Sequence, residues 1–269
     1  MPGSRRTFDR RELTGPFDIV GDVHGCGDEL EILLAELGYG VEWSGQDVSV
    51  TPPAGRMLVF VGDLVDRGPR TPDVLRIAMT MVEAGTGLCV EGNHDNKLGR
   101  WLSGANVTRG NGLQMSIDQM EAESPAFRAK ARNFMSRLPP YLWLDGGRLV
   151  VAHAGLGADM IGRVDGKVRS FALYGDTTGG ADEDGYPVRR DWAREYSGEV
   201  AIVYGHVAAP MVEWINNTIC LDSGCCFGGR LTTLRWPERE LVSVPAARIY
   251  FEARRPLEER SRWAGVAES

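Results

Sequence analysis

The four histidines of this chain are the residues whose surroundings point most directly to chemistry. Each follows a short apolar run and has small or polar neighbours: His24, His94, His153 and His206. Asp63, in the stretch Gly-Asp-Leu-Val-Asp-Arg-Gly, occupies the same kind of position. Strand ends in α/β sheets face one crevice, so these side chains can converge although they are far apart in the sequence. Imidazoles combined with carboxylates are typical ligands of divalent metals. We therefore predict a metal site at the ends of several strands.

The competing interpretation is that each histidine is an ordinary core or surface residue. A lone Gly-Asp-x-His stretch is a weak signal, but four such positions that use every histidine of the chain favour a metal site. No pair of cysteines has zinc-finger spacing, which disfavours a structural zinc site.

Alternating strand and helix patterns supply the elements that must position these residues. Buried strands are expected at residues 17–20, 57–61, 88–90, 141–144, 148–152, 200–204, 218–221, 231–236 and 240–244. Helices are expected from Asp28 to Gly38, from Thr71 to Gly85 and within a helical section from about Gln114 to Leu138. The glycine-rich stretch from Gly175 to Gly185 is expected to be a loop. Strand–helix units followed by strand-rich sequence favour an α/β fold with two packed sheets.

The composition excludes several classes of protein. The chain has 269 residues, of which 43% are hydrophobic and 25% are charged, as in an ordinary soluble domain. No apolar stretch approaches the roughly 18 residues that span a membrane, so no membrane partner is expected. The net charge of −7 argues against stable binding of duplex DNA. Five cysteines do not form a disulfide framework, which favours a cytoplasmic location.

The motifs Gly-Asp-Val-His-Gly, Gly-Asp-Leu-Val-Asp-Arg-Gly, Gly-Asn-His-Asp and Gly-His resemble those of the phosphoprotein-phosphatase-type metallophosphoesterases. They occur in that family's order, and the resemblance spans about residues 15–250. It implies one α/β domain of the calcineurin-like metallophosphoesterase fold, with two packed mixed β-sheets flanked by helices. We expect this domain at residues 15–252, between a flexible N-terminal segment at 1–14 and a polar C-terminal tail at 253–269.

A narrower resemblance links the chain to the phosphatase module of bacterial polynucleotide kinase-phosphatases. The stretches that carry it are residues 88–95, 150–156, 171–175, 220–225 and 240–246. The chain has no Gly-x-x-x-x-Gly-Lys-Ser/Thr motif, so no kinase domain is expected. Relatives with dinucleoside-tetraphosphatase or protein serine/threonine phosphatase activity share the metal motifs.

The family resemblance implies a set of metal ligands. Asp22 and His24 would bind a first divalent metal, and Asp63 would bridge it to a second. Asn93, His153 and His206 would complete the second site. Manganese is the expected metal, with iron, nickel, cobalt or zinc as alternatives. A hydroxide held between the two metals would attack phosphorus directly, because such a pair clamps the attacking and leaving oxygens of an in-line displacement.

The resemblance also implies roles in catalysis and substrate binding. Arg67 would grip phosphate oxygens, or alternatively form a surface ion pair with Asp66. His94, which would contact substrate together with Asn93 and Arg67, would be the general acid, with Asp66 holding its imidazole protonated. The alternative is that His94 only supports the metal ligands. Asp222 either orients a ligand histidine or caps a turn, and these two interpretations are evenly balanced.

A further phosphate-contacting arginine is expected, but the sequence does not rank the four candidates Arg163, Arg169, Arg189 and Arg190. The helical section and the segment 157–198 are expected to flank the cleft and to set substrate choice.

The leading prediction for function is hydrolysis of phosphomonoesters, including nucleotide or RNA-end phosphates. The expected partner is thus a small phosphorylated substrate, a nucleotide or a nucleic-acid end. Alternatives are a dinucleoside polyphosphate hydrolase of the diadenosine tetraphosphate type and a protein serine/threonine phosphatase. A metal-binding scaffold without activity is disfavoured, because Arg67 and His94 are both present.

Overall fold

The computed structural model describes residues 8–183, 187–253 and 257. Its strands, β1 to β14, are Phe17–Val20, Gly40–Ser44, Asp47–Thr51, Met57–Phe60, Gly87–Cys89, Tyr141–Leu144, Leu149–Ala152, Thr177–Ala181, Pro187–Arg189, Ala201–Tyr204, Trp214–Ile215, Thr218–Cys220, Arg230–Trp236 and Glu240–Pro245. Its α-helices, α1 to α7, are Gly27–Glu36, Thr71–Ala84, Asn93–Leu102, Leu113–Glu121, Pro125–Met135, Gly166–Tyr174 and Trp192–Glu195.

Ten of these strands form two five-stranded mixed sheets. The first has the order β14-β13-β1-β4-β5, and the second has the order β11-β12-β10-β7-β6. The central strands are parallel: β1 pairs with β4 and β4 with β5 in the first sheet, while β10 pairs with β7 and β12 in the second. The remaining pairs in both sheets are antiparallel. The α/β fold with two mixed sheets that was expected from the sequence is therefore confirmed.

The two sheets pack face to face, with helices on their outer faces. Alternate residues of a strand point to opposite faces of a sheet, and the core follows this rule. Ile19 and Val59 of the first sheet share a buried cluster with Val151 and Val203 of the second. Phe60, next to Val59, belongs instead to the cluster that includes the α1 and α2 side chains. The outer face of the second sheet is covered by α6. This layered apolar core fixes the strand ends that carry the predicted site residues.

Two hairpins lie outside the main sheets and were not expected. β2 and β3 pair antiparallel, and β8 pairs with β9. The expectation of a loop from Gly175 to Gly185 is wrong over Thr177–Ala181, which forms an exposed strand. The error has a physical reason, since that strand is exposed along its length and has no apolar alternation to mark it.

Part of the expected N-terminal segment packs beside β6. The amide of Trp143 donates to the carbonyl oxygen of Phe8 at 2.8 Å, and the amide of Arg10 donates to the carbonyl of Trp143 at 2.9 Å. Residues 1–7 and most of the expected tail lie outside the described residues, so the domain limits 15–252 stay a prediction. Within the described ranges, no helix has both the length and the apolar character to cross a membrane.

Candidate active site

The loops after five parallel strands carry all the predicted metal-binding residues. Asp22 and His24 follow β1, Asp63 follows β4, and Asn93 begins α3 just after β5. In the second sheet, His153 follows β7 and His206 follows β10. These loops meet at one edge of the sheet pair, where Asp63 and His206 both lie within about 3.5 Å of His153.

Asp63 lies between two groups of these side chains. One carboxylate oxygen, Oδ2, is 3.5 Å from Nε2 of His24 and 3.4 Å from Nε2 of His153. On the far side, His153 Nε2 is 3.0 Å from Nδ1 of His206. Asp22 joins this group because its Oδ2 accepts a hydrogen bond from the amide of His206 at 3.0 Å. The structure thus brings the predicted residues of both sides together around one carboxylate.

Backbone oxygens orient two of the histidines. Nδ1 of His24 donates to the carbonyl of Val65 at 2.9 Å, and Nδ1 of His153 donates to the carbonyl of Val61 at 3.1 Å. With the proton assigned to Nδ1 by these contacts, Nε2 carries a lone pair in both rings. His153 Nε2 then faces Oδ1 of Asn93 at 2.9 Å, and both atoms are acceptors. A cation between them removes this repulsion, so the residues fit a metal site.

Burial supports the same conclusion. It raises the pKa of Asp63 to about 8 and lowers the pKa of His153 to about 4, because charged forms are disfavoured away from water. Burial also raises the pKa of Asp22, helped by the nearby Asp222 and Asp63 carboxylates. The other oxygen of Asp22, Oδ1, is buried and has no hydrogen-bond partner. Neutral imidazoles and buried carboxylates without a positive partner are the side chains that bind a divalent cation, and the cation supplies the missing positive charge.

The backbone of the site is strained. Nine non-glycine residues of the described chain have a positive φ, and five of them belong to the predicted site: His24, Asp63, Asp66, Arg67 and His206. Left-handed backbone costs free energy in residues with a side chain and persists where the surrounding structure enforces it. The loops are therefore shaped to aim these side chains inward, at some cost in stability.

Arg67 reaches into the cluster without a carboxylate partner. Its Nη1 is 2.7 Å from Nε2 of His24, and its Nη2 is 3.0 Å from Nε2 of His94. Among the described residues it forms no ion pair, so the alternative ion pair with Asp66 is not found. The ring of Phe227 lies 5.0 Å from the guanidinium carbon. A guanidinium held in this way presents unused charge and donors to an incoming anion.

His94 is tied to Asp66, as predicted from their positions in the sequence. Nδ1 of His94 is 2.6 Å from Oδ2 of Asp66, and the amide of Asp66 donates to Oγ of Ser116 at 2.8 Å. Burial raises the pKa of Asp66 to about 7 and lowers the pKa of His94. A second proton on His94 therefore needs a nearby negative charge, which a bound phosphate supplies.

Arg189 is the member of the four unranked arginines that reaches the site. Its Nη2 lies 2.8 Å from Nε2 of His206, and burial lowers the pKa of its guanidinium. The other three pair with carboxylates instead: Arg163 with Asp165, Arg169 with Glu91 and Arg190 with Asp176. Sequence alone could not single out Arg189, because the unexpected β8–β9 hairpin positions it.

Two further aspartates, Asp222 and Asp95, accept hydrogen bonds from backbone amides beside the site. Oδ1 of Asp222 accepts from the amide of Gly224 at 3.0 Å, which is the turn role, while its charge also acts on buried Asp22. Asp95 was missed, although it follows His94 directly. Its two oxygens accept from the amides of Leu64 at 3.0 Å and Gly92 at 3.2 Å, so it ties the β4 loop to the start of α3.

Comparison with known proteins now identifies the class. Residues 15–210 match the family model of the calcineurin-like phosphoesterases, and the chain belongs to that family. It is a metal-dependent hydrolase, and the family uses a centre of two divalent metals.

Several curated proteins that resemble this chain over most of its length share one name. An asymmetrical bis(5'-nucleosyl)-tetraphosphatase PrpE from Anoxybacillus flavithermus is 44% identical over 247 residues, which cover 90% of this chain and 99% of the relative. A protein of the same name from Geobacillus sp. is 47% identical, covering 87% of this chain and 95% of the relative. Another, from Bacillus subtilis, is 43% identical, covering 90% and 99%.

Solved structures agree on the fold. One described provisionally as a diadenosine tetraphosphatase superposes with a TM-score of 0.62 at 25% identity, covering 88% of this chain and 96% of that one. A protein serine/threonine phosphatase from Saccharomyces cerevisiae gives a TM-score of 0.57 at 14% identity, covering 91% and 83%, and shows the fold alone. The narrower likeness to polynucleotide kinase-phosphatase modules is therefore corrected: these full-length relatives are named as tetraphosphatases.

Proposed function

We propose that this protein hydrolyses bis(5'-nucleosyl) tetraphosphates asymmetrically, into a nucleoside monophosphate and a nucleoside triphosphate. The observation that carries the proposal is similarity at 43–47% identity to tetraphosphatases along nearly their whole length. Our leading prediction from the sequence, a phosphomonoesterase, has no comparable support. The proposal therefore takes up the dinucleoside polyphosphate alternative.

The metal centre is part of this proposal. Asp22, His24 and Asp63 would hold one divalent ion, and Asp63, Asn93, His153 and His206 would hold the other, with manganese as the proposed metal. When bound, such a pair activates water and stabilises the charge that develops on the phosphate oxygens. The carbonyls of Val65 and Val61 keep the rings of His24 and His153 facing Asp63, which preserves the site between turnovers.

Arg67 and Arg189 form no ion pair with a carboxylate of the described residues, and together they favour a substrate with more than one phosphate. Arg67 touches His24, and Arg189 touches His206. They therefore contact the cluster through different histidines. A phosphomonoester offers one charged group, whereas a tetraphosphate offers a row of them. We propose that Arg67 holds the phosphate under attack and that Arg189 holds a neighbouring one.

The surroundings of Arg189 also suit a nucleotide. Trp192 and Tyr204 line the same small cavity as Arg189 and His206. Tyr204 is buried beneath Trp192, which is half-buried, so Trp192 is the aromatic side chain that would contact the nucleotide while the adjacent guanidinium meets its phosphates. The segment 157–198, which was expected to set substrate choice, contributes both Arg189 and Trp192 to this cavity.

His94 and Asp66 would manage a proton at the departing oxygen. Asp66 fixes the ring through Nδ1, which leaves Nε2 facing Arg67 and the site. In tetraphosphate cleavage the leaving group is a nucleotide phosphate, which departs as a stabler anion than an alkoxide. The demand on His94 is accordingly smaller than in monoester hydrolysis.

A substrate panel tests the proposal. The purified protein with manganese is given diadenosine tetraphosphate, AMP, a generic aryl phosphate and a phosphoserine peptide, and kcat/KM is measured for each. The proposal expects the tetraphosphate to be preferred by at least about tenfold, the gain from one further charged contact. A preference for AMP would restore the phosphomonoesterase, and a preference for the peptide would indicate a protein phosphatase.

A further inference from the structure

A second cluster of metal-binding side chains lies behind the aspartate–histidine centre and shares none of its side chains. Cys26 precedes α1, Glu29 lies in the first turn of α1, and Cys225 begins the short 3-10 turn Cys225–Phe227. Both sulfurs and a carboxylate oxygen of Glu29 lie within 4.8 Å of one another. No more than 1% of any of these three residues is exposed.

Glu29 makes this cluster unusual, because its carboxylate is only half satisfied. Oε1 accepts from the amide of Ala247 at 2.9 Å and from the hydroxyl of Tyr250 at 2.7 Å. Oε2 is buried and has no hydrogen-bond partner. A buried carboxylate oxygen without a donor or a cation costs free energy. A cation bound to Oε2 would offset this cost.

We propose that Cys26, Glu29 and Cys225 bind a third divalent cation, and that this cation is thiophilic, of the zinc type. Two sulfurs select a soft metal, in contrast to the imidazoles and carboxylates of the first centre. The backbone oxygen of His24, 3.7 Å from Sγ of Cys26, is a further oxygen beside the cluster. Neither Cys26 nor Cys225 forms a disulfide in the described part of the chain, so both sulfurs can serve as thiolate ligands.

The cation would have a structural role. It would join the start of α1 to the 3-10 turn, and through Glu29 to the segment that carries Ala247 and Tyr250. Cys226, the next residue after Cys225, lies 3.8 Å from Nη1 of Arg67. The site would thus stabilise the turn behind the phosphate-binding arginine. Cysteine spacing could not reveal it, because Cys26 and Cys225 are far apart in the sequence.

Cobalt spectroscopy of the full chain tests this proposal. Metal-stripped, reduced protein is titrated with Co²⁺ without oxygen, and absorption is followed in the near ultraviolet. A thiolate bound to cobalt gives a charge-transfer band there, and the aspartate–histidine centre contains no thiolate. We expect the band in the wild type and in Asp63→Ala, which alters only the first centre. Failure of the two-metal proposal is therefore distinguishable from failure of this one.

Cysteine variants assign the band. Cys225→Ser removes one of two thiolates and should lower the band to roughly half or less, and elemental analysis should show one fewer zinc per chain. Cys89→Ser, a matched buried cysteine outside the cluster, should keep both. Absence of the band from folded wild-type protein at saturating cobalt overturns the proposal. An undiminished band in Cys225→Ser would overturn it too, and neither result depends on an unfolded variant.

Discussion

Asp63 is the residue that both halves of the proposed metal centre share. Its Oδ2 faces His24 and His153, while its Oδ1 accepts from the amide of His94 at 3.0 Å. We predict that Asp63→Ala lowers bound metal and abolishes turnover, since neither ion keeps its full set of ligands. Elemental analysis and activity measure this, with circular dichroism confirming the fold. A variant that keeps both metals and substantial activity would show that Asp63 does not bridge them.

His94 is proposed to act as an acid and not as a ligand, and leaving groups distinguish these roles. His94→Ala should lose about 10²–10⁴-fold on alkyl phosphates, whose alkoxide needs a proton, and clearly less on p-nitrophenyl phosphate. Both metals should stay bound. His153→Ala is the control, because metal loss should hurt both substrates alike. Equal losses for His94→Ala on the two substrates, with chemistry limiting, would exclude the acid role.

Arg189 is proposed to hold a phosphate that is not under attack. Arg189→Ala should raise the KM for diadenosine tetraphosphate by about 10- to 100-fold, the loss of one or two charged hydrogen bonds, and change the KM for p-nitrophenyl phosphate much less. Arg163→Ala is the matched control, because Arg163 pairs with Asp165, is exposed and does not line the cavity beside Arg189. A similar effect of Arg189→Ala on both substrates would place it at the attacked phosphate instead.

Single residues differed in how far the sequence revealed them. The four histidines and Asp63 were predicted from their positions after strands, and the full ligand set, with Asp22 and Asn93, followed from the family resemblance. Arg189 could not be chosen from four arginines, since only the packing of the β8–β9 hairpin brings it to His206. Asp95 was missed because its partners are backbone amides, which leave no trace in the sequence.

At the scale of elements, Asp95 is one of the links between the β4 loop and α3, beside the hydrogen bond from the amide of His94 to Asp63. Asp95→Asn keeps the shape but turns an NH₂ group toward one of the two amides. Leaving a buried donor unpaired should lower the free energy of unfolding by about 1–3 kcal/mol. Denaturant unfolding measures the change, and Asp159→Asn, on an exposed side chain, is the control. An unchanged stability in Asp95→Asn would mean that the two loops are held by other contacts.

Buried strands were predicted from the sequence, whereas exposed strands were not. Nine of the ten strands of the two main sheets were predicted because they are short apolar runs, and their observed bounds differ by only one residue or so: β5 is Gly87–Cys89 and β7 is Leu149–Ala152. The tenth strand, β11, was not predicted, because it has only two residues and both are half-buried. The β2–β3 and β8–β9 hairpins were not predicted. Their residues are exposed or only half-buried, so neither presents a continuous apolar run.

Over the whole molecule, the sheet pair gives the centre its rigidity. The strand ends of both sheets meet because a continuous core joins Ile19 and Val59 to Val151 and Val203. The fold class followed from the order of strands and helices together with the motifs. Substrate choice did not, because relatives of this fold share the metal motifs, and the segments around the cleft have no pattern that the sequence alone could assign.

Analysis of cleavage products tests the proposed function most directly. The protein with manganese is incubated with diadenosine tetraphosphate, and the nucleotides are separated by anion-exchange chromatography at early times. Asymmetrical hydrolysis predicts AMP and ATP in equal amounts, because a chain of four phosphates is cut away from its centre. ADP as the only nucleotide would contradict the account by showing a central cut. If the tetraphosphate stays intact while AMP, supplied in a parallel reaction, is hydrolysed rapidly, the protein is a phosphomonoesterase and the account is contradicted.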